Sequence, residues 1–286
     1  MFQHILVPLD GSLRAESAIP VAARLARASE GMLIFLRPVS TAPEDEYAAG
    51  TGSPIFQAAL QSEQEEAQHY LMGIASSRSL AGLPIIVSAP HGPVVANIQV
   101  TVQTYQADVL VCCAQPELGG FHRLLDPFVE QLSQHLAIPL LLLPAQEPLH
   151  NPLLEPGEPI TCLVAFTGSQ PEPALIPPAA SLLAALAGQQ PGHLHCAPLR
   201  SVLSRSAMTH PDLPGAASSQ NQQRFAGRSA VLLKEAQTEA RLAAKQAPRP
   251  REVIVLGMPL FDTERDALRE VARYPRLLVP SPVREA

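Results

Sequence analysis

Basic residues are scarce in this chain of 286 residues. Lys and Arg together number 20 against 26 Asp and Glu, which gives a net charge of −6 at pH 7. Only two of the basic residues are lysines, Lys234 and Lys245. Nucleic-acid-binding domains need a basic face, so this charge balance argues against DNA or RNA as a partner.

Cysteines are also few, and their spacing is not that of a disulfide-bonded or zinc-binding protein. Two of the four are adjacent and no CxxC spacing occurs among Cys112, Cys113, Cys162 and Cys196. The sequence therefore indicates neither a disulfide framework nor a zinc ribbon. Cys112 and Cys113 end an apolar run, where small apolar filler is a better interpretation than a redox pair.

Long hydrophobic runs are missing as well. No stretch reaches the roughly 18 consecutive apolar residues of a membrane-spanning helix. The first residues, MFQHILVPLDGS, enter an apolar strand without a basic leader or cleavage site. With 47% apolar and 16% charged residues, we expect a soluble, cytoplasmic protein that does not associate with membranes. The length suits two domains, each able to bury a core.

The chain contains an internal repeat. When residues 4–27 are aligned without gaps over residues 161–184, nine positions are identical, including Gly11 with Gly168 and Ser12 with Ser169. Later segments match with shorter offsets: ADVLVCC (107–113) with REVIVLG (251–257), and IPLLLLP (138–144) with YPRLLVP (274–280). Self-similarity of this kind indicates two copies of one unit.

The repeat predicts two domains, at residues 1–145 and 160–286, joined by a Pro-rich linker at 146–159. In the first copy we predict strands near 4–9, 32–39, 84–88, 108–113 and 139–143. Helices are expected near 13–29 and 55–79, from 93 and from 124. The second copy is shorter, which leaves open whether one strand–helix step is missing there. Continuously apolar strands that alternate with helices indicate a parallel α/β sheet covered on both faces.

The first copy resembles the universal stress protein family. The resemblance rests on FQHILVPLDGS, the Ala-rich helix after it, ADVLV before a loop, and the closing helix and Pro-started strand. It covers residues 1–144 and, more loosely, 160–282. It implies two flavodoxin-like (Rossmann-like) parallel-sheet domains, the second reduced, and pairing through the last strand of each. Some members of the family bind ATP or AMP and others do not.

The loop after the fourth strand departs from the family's phosphate loop, which has the form G-x-x-G, nine residues, then G-S or G-T. An ungapped alignment places Cys113 at the first glycine, Pro116 at the second, and Asp126-Pro127 at the final pair. Proline removes a backbone donor, and Asp126 adds negative charge where a phosphate would lie. Asp126 before Pro127 is instead a strong signal for the start of a helix. The alternative is a rearranged anion loop at Gly119 and Gly120, with His122 and Arg123 nearby.

Five residues form the candidate ligand site in the first copy. Asp10 follows strand one, where ATP-binding relatives use an Asp near the nucleotide; otherwise it forms a turn or caps the following helix. Val39 matches a position whose backbone lies against adenine in relatives; otherwise it belongs to the core. With these two we group the three loop candidates, Cys113, Gly119 and Gly120. In the second copy, Thr167 replaces the Asp, and the last loop (258–274) contains no glycine.

No catalytic or metal site is predicted. His193 and His195 alternate along one strand, where two His could bind a metal, but no third ligand is evident. No G-x-S-x-G elbow, Walker lysine loop or HExxH motif occurs. We therefore expect a protein without an enzymatic function or a cofactor.

The last strand of each copy indicates how the two copies assemble. PLLLL (139–143) would be a bare apolar edge, and RLLVP in the second copy is the obvious cover. We predict an intrachain pseudo-dimer and leave open a further homodimer. The expected function is that of a tandem universal stress protein whose degenerate nucleotide site binds a protein partner or a small molecule in a stress response. The alternative is an ATP or AMP sensor that uses Mg²⁺ and the first domain only.

Overall fold

The computed structural model describes residues 2–39, 54–114, 127–144, 153–154, 159–166, 171–188, 192–199, 201–202, 251–258 and 274–280. Within these residues the chain is an α/β protein built on one nine-stranded sheet with helices on both faces. The strands are β1 His4–Pro8, β2 Met32–Leu36, β3 Ile85–Ser88, β4 Val109–Ala114, β5 Leu140–Pro144, β6 Ile160–Phe166, β7 Gly192–Pro198, β8 Glu252–Met258 and β9 Arg276–Pro280. The helices are α1 Leu13–Glu16, α2 Ile19–Ser29, α3 Pro54–Ala75, α4 Val94–Tyr105, α5 Pro127–His135 and α6 Ile176–Ala187.

The first half is a parallel, doubly wound unit with strand order β3-β2-β1-β4-β5. Its inner strands are apolar throughout because both faces are covered. Ile5 and Val7 face a core that contains α2, while Leu6 faces the opposite core, to which α4 and α5 contribute. The predicted flavodoxin-like architecture is confirmed for this half.

The second half repeats the order of four of these strands. Its described strands run β7-β6-β8-β9, all parallel, so β6, β7, β8 and β9 take the places of β1, β2, β4 and β5. A counterpart of β3 would fall between residues 203 and 250, which lie outside the described residues. The described structure therefore does not address whether a strand–helix step is missing in the second copy.

The two halves join through β5 and β9, as predicted. These strands pair antiparallel, with Leu141 opposite Leu277 at the centre of the register. Leu140 lies opposite Leu278, and Leu142 lies opposite Arg276. In the sequence alignment of the two copies, Leu141 corresponds to Leu277 itself. The register is thus the one that a local two-fold axis through this pair would produce.

On one face of the sheet, a helix from each half packs against its counterpart over the same seam. The helices α2 and α6 follow β1 and β6 respectively, and they pack against each other. A single apolar core continues across both halves beneath them and includes Val21 and Leu182. Leu153, in the segment predicted as a linker, is fully buried in this core, and its carbonyl accepts a hydrogen bond of 3.1 Å from Arg24 Nη1. That part of the linker is therefore a packed component of the fold.

Two predicted elements differ in detail, and proline explains both. The helix expected over 13–29 is divided at Ser17 and Ala18, since Pro20 lacks the N–H that would bond to the Glu16 carbonyl. The strand expected over 32–39 ends at Leu36, and Pro38 again lacks a ladder donor. Val39 then rejoins the sheet edge in an isolated bridge with His91. Both breaks occur in the segments that follow the carboxyl ends of β1 and β2, where the candidate site lies.

Candidate ligand cleft of the first half

The candidate site lies beyond the carboxyl ends of β1, β2 and β4. The chain leaves β1 to one side to form β2 and returns on the other side to form β4, so the strand order reverses between β1 and β4. Open α/β sheets bind ligands at such a point because the two connections diverge and leave a crevice. Asp10 follows β1, Arg37 follows β2, and Cys113 lies near the end of β4.

Asp10 organises the turn between β1 and α1. Its Oδ1 accepts hydrogen bonds from the Ser12 backbone N–H at 2.9 Å and from Ser12 Oγ at 2.5 Å. Arg14 Nη2 lies 3.6 Å from Asp10 Oδ2, and Ser12 Oγ caps α1 by accepting from the Ala15 N–H at 3.2 Å. Gly11 has φ +85°, which favours glycine between Asp10 and Ser12. Asp10 therefore forms the turn before the helix, Ser12 is the helix cap, and the Asp10 carboxylate stays exposed.

The charge state of Asp10 is stabilised by this turn. Partial burial acts to raise the pKa of the carboxyl, but the hydrogen bonds from Ser12 and the charge of Arg14 outweigh it. The net result is a pKa below the ordinary value of 3.8. Because the side chain is largely exposed, the contribution of this shift to folding is small.

We expect Asp10→Ala to lower the free energy of unfolding by about 0.5–1 kcal/mol at pH 7, through loss of the turn hydrogen bonds. A carboxyl whose folded pKa is depressed contributes stability above its unfolded pKa, and that contribution is lost as the pH falls through the lower folded pKa. The difference between wild type and Asp10→Ala should therefore be constant above pH 3.8 and shrink below it. Urea unfolding of both proteins from pH 7 downward measures this, and an unchanged difference in acid would contradict the assignment.

Cys113, which the sequence alignment predicts at the position of the first phosphate-loop glycine, is packed against Ser17. Its Sγ lies 3.0 Å from Ser17 Oγ, and Ser17 Oγ also donates to the Arg14 carbonyl at 2.6 Å. Burial raises the pKa of the Cys113 thiol, although the Ser17 hydrogen bond and Arg14 act against it. Cys113 is thus a neutral, packed thiol that ties β4 to the start of the helical segment after β1. Cys112 is buried in the opposite core.

Val39 has both backbone groups in use. Its N–H donates to the Pro90 carbonyl at 2.9 Å, and its carbonyl accepts from the Gly92 N–H at 3.0 Å. Its side chain packs with Ala67 and Ala89 in a small separate core. Gln64 closes this corner: its Nε2 donates to the Ala89 carbonyl, and its Oε1 accepts from the His91 ring Nε2. The Val39 side chain thus belongs to a small core, and its backbone forms the isolated bridge with His91.

A second group of side chains, which sequence reasoning missed, lies beside Gly11. The guanidinium of Arg37 stacks on the ring of Tyr70, 4.9 Å from its centroid, and the Tyr70 hydroxyl donates to Glu16 Oε1 at 2.9 Å. Burial and the bond to Glu16 raise the pKa of Tyr70 above its usual range, so the phenol stays protonated. Arg37 could have been noticed as a charged residue directly after the apolar strand MLIFL. No pattern in the sequence marks Tyr70 as a site residue, because only the packing of α3 brings its ring over Arg37.

The remaining loop candidates, Gly119 and Gly120, lie outside the described residues, as do Pro116 and Asp126. Of the helix after that loop, the structure describes Pro127–His135 as α5. The start predicted at the Asp-Pro pair stays a prediction, because Asp126 lies outside the described residues. Pro127 itself has no backbone N–H to offer an anion.

The histidines of β7 form a separate pair in the second half. The rings of His193 and His195 are stacked with centroids 6.0 Å apart. In the described part of the chain, no three His, Cys, Asp or Glu side chains come close enough together to hold a metal ion. None of the described helices combines the length and the hydropathy that a bilayer crossing requires.

Comparison with known proteins places this geometry in a family context. The sequence model described as the universal stress protein family matches residues 1–144. A universal stress protein from Archaeoglobus fulgidus DSM 4304 is similar in structure, with a TM-score of 0.52 and 15% identity over 97% of this chain and 96% of its own. A functionally unknown protein from Pseudomonas aeruginosa PAO1 has a TM-score of 0.50 and 12% identity over 98% of this chain and 92% of its own.

Another universal stress protein, solved in complex with cAMP, is 19% identical and covers 51% of this chain and 98% of its own, with a TM-score of 0.34. No curated protein sequence matches this chain. At these identities the structural likeness concerns the fold, and the Archaeoglobus and Pseudomonas proteins match both halves of the chain.

Proposed function

Because the chain belongs to the universal stress protein family, we propose that it is a cytoplasmic, tandem stress-response protein that acts by binding rather than by catalysis. In this proposal the two units are residues 1–145 and 160–286. The first-half cleft takes a small ligand or a segment of a partner protein, and it no longer holds a nucleotide.

The observation that carries the proposal is the state of the Val39 backbone. The family resemblance implies that the backbone at this position lies against adenine in ATP-binding relatives. In this chain the Val39 N–H and carbonyl are instead hydrogen-bonded to Pro90 and Gly92. An adenine ring would have to displace the N–H bond at 2.9 Å before it could use that donor. The free energy lost by breaking the existing backbone hydrogen bond would cancel most of the free energy gained from a new bond to adenine.

The phosphate end of the cleft supports the same proposal. Cys113 places a side chain, bonded to Ser17, where the family pattern has its first glycine. Phosphate loops use glycine there because a Cβ would block the approach of phosphate oxygens to the backbone N–H groups. At the far end of the loop, Pro127 of α5 lacks the backbone donor that residues at a helix N-terminus normally offer to an anion.

We expect neither ATP nor AMP, with or without Mg²⁺, to bind at micromolar concentration. A nucleotide present at 100 times its dissociation constant would stabilise the protein by about 2.7 kcal/mol, a shift of several degrees in Tm that is easily seen. Thermal shift and isothermal calorimetry should show neither this shift nor heat of binding. A nucleotide-binding relative titrated in parallel controls for the reagents.

The alternative function is an ATP or AMP sensor that uses Asp10, Gly119 and Gly120 of the first half with Mg²⁺. The exposed carboxylate of Asp10 favours it, because that group remains accessible to a cation or a ribose hydroxyl. Micromolar binding of ATP that Asp10→Ala removes would establish this alternative and overturn the proposal above.

A further inference from the structure

Arg37 is held in an unusual way at the mouth of the cleft. Its backbone N–H donates to the Ser88 carbonyl at 3.0 Å, so the residue is anchored to the neighbouring strand. One side of its guanidinium faces the ring of Tyr70 at 4.9 Å. Gly11 lies close by, since a Cβ built on that residue would be 3.6 Å from the guanidinium carbon and from one terminal nitrogen.

The in-plane donors of this guanidinium have no acceptor among the residues that the structure describes. The contact with Tyr70 is made through the ring face, where a cation–π interaction offsets the charge but accepts no hydrogen bond. Arginine carries five N–H donors in a planar fork, and half-buried forks normally meet a carboxylate, a phosphate or a carbonyl. Arg37 instead keeps its hydrogen-bonding capacity available to a ligand.

The Tyr70 ring that supports Arg37 is itself fixed. The Tyr70 hydroxyl donates to Glu16 at 2.9 Å, which links α3 to α1 and sets the plane of the ring. A guanidinium stacked on a fixed ring has lost much of its rotamer freedom before a ligand arrives. Preorganisation of this kind reduces the entropic cost of binding.

The charges around Arg37 are balanced so that an added anion can be tolerated. Two carboxylates are near, but Asp10 lies 3.6 Å from Arg14 and accepts two hydrogen bonds from Ser12. Glu16 accepts the Tyr70 hydroxyl. Both acids therefore have donors of their own, and the side-chain N–H groups of Arg37 meet no acceptor in the described part of the chain.

We infer that Arg37 is the anion-binding element of the first-half cleft and takes the carboxylate or phosphate group of a small ligand through its in-plane N–H fork. This inference rests on the proposed function, because it names the ligand class of the same cleft. It does not involve the adenine position at Val39 or the loop after β4.

The inference is tested by titrating the full-length protein with succinate and, separately, with inorganic phosphate, against chloride at equal ionic strength. Calorimetry gives the affinity, and the side-chain Nε–H signals of ¹⁵N-labelled arginine identify the residue. We expect one arginine signal to shift saturably with at least one of the two anions, with a dissociation constant on the order of 0.1–1 mM. The anion that binds tells whether the ligand is a carboxylate or a phosphate.

Four variants determine whether the Arg37 fork is responsible. Arg37→Gln should weaken anion binding by about tenfold or more, and Arg37→Lys should weaken it nearly as much because lysine keeps the charge but not the fork. Arg78→Gln removes the same charge from an exposed position of the first half and should leave the affinity unchanged. Tyr70→Leu, which removes the stacking surface, should weaken binding by about threefold.

Equal binding by wild type and Arg37→Gln, or no binding of either anion, would overturn the inference. Those results are distinct from failure of the proposed function, which is decided by ATP and AMP. Micromolar nucleotide binding that Arg37→Gln leaves intact would overturn the proposed function, and the succinate and phosphate titrations would still decide the role of Arg37.

Discussion

Substitution of Leu141 by arginine is expected to lower the free energy of unfolding by more than about 4 kcal/mol and to leave much of the protein aggregated. Leu141 is fully buried and lies between Val111 of β4 and Leu277 of β9 at the centre of the seam. A guanidinium there would have no acceptor, and the seam would separate to let it reach water. Separation would expose the apolar edge of β5, which is an aggregation hazard.

Urea unfolding and size-exclusion chromatography measure this effect, and the chain offers a matched control. Leu13→Arg makes the same substitution at a leucine that is 71% exposed on α1, and it should change stability by less than about 0.5 kcal/mol. A Leu141→Arg protein that remains monodisperse with wild-type stability would show that β5 and β9 do not pair in solution.

The role of the seam can be separated from ordinary core packing by a double-mutant cycle. Leu141→Ala and Leu277→Ala remove two side chains that face each other across the antiparallel pair, so their effects should be coupled by about 0.5–3 kcal/mol. Leu33→Ala in β2 is equally buried but lies three strands away from β5, and its coupling to Leu141→Ala should be near zero. Equal coupling in both cycles would argue against a specific contact at the seam.

The sheet and its seam were accessible to sequence reasoning because they follow from strong local patterns. Continuous apolar strands such as MLIFL predict burial on both faces, and PLLLL predicts an edge that must be covered. The match of Leu141 with Leu277 in the repeat even anticipates which residues meet at the centre of the register. Departures from prediction occur at Pro20 and Pro38, where a missing N–H ends an element that the apolar pattern alone would extend.

The cleft was less predictable because its contacts join segments that are distant in the chain. The turn formed by Asp10 and Ser12 is local, and a turn is one of the two local roles that the sequence predicts for Asp10. The stacking of Arg37 on Tyr70 joins residues 33 positions apart and depends on where α3 crosses the sheet. The bridge between Val39 and His91 depends likewise on the register of β2 with β3. Neither contact leaves a periodic pattern in the sequence.

Arg276 is the second residue for which a large effect is expected, and the effect has the opposite sign. It begins β9 opposite Leu142 and occupies the position that Leu140 holds in the first half. Only 5% of the residue is exposed, and its Nε has no hydrogen-bond partner within the described residues. Burial lowers the pKa of the guanidinium to about 10, although the nearby Cys112 acts weakly in the other direction.

We expect Arg276→Leu to raise the free energy of unfolding by about 1–3 kcal/mol at pH 7, because it removes a charge that folding transfers out of water without an acceptor for Nε. The rise in Tm should be about 2–4 °C for each kcal/mol gained. Arg78→Leu, at an exposed position, is the matched control and should change stability by less than about 0.5 kcal/mol.

The pH dependence of this difference follows from the sign of the pKa shift. Arg276 is charged in both the folded and the unfolded state at neutral pH, and its folded pKa is the lower of the two. The unfolded state therefore binds more protons once the pH exceeds about 10, so that the wild type gains stability above that value. The advantage of Arg276→Leu should be constant from pH 5 to 9 and narrow only above about 10. Arg276→Leu could instead be less stable than wild type at pH 7 by more than about 1 kcal/mol. That result would show that the guanidinium has a hydrogen-bond acceptor in the folded protein and stabilises the seam.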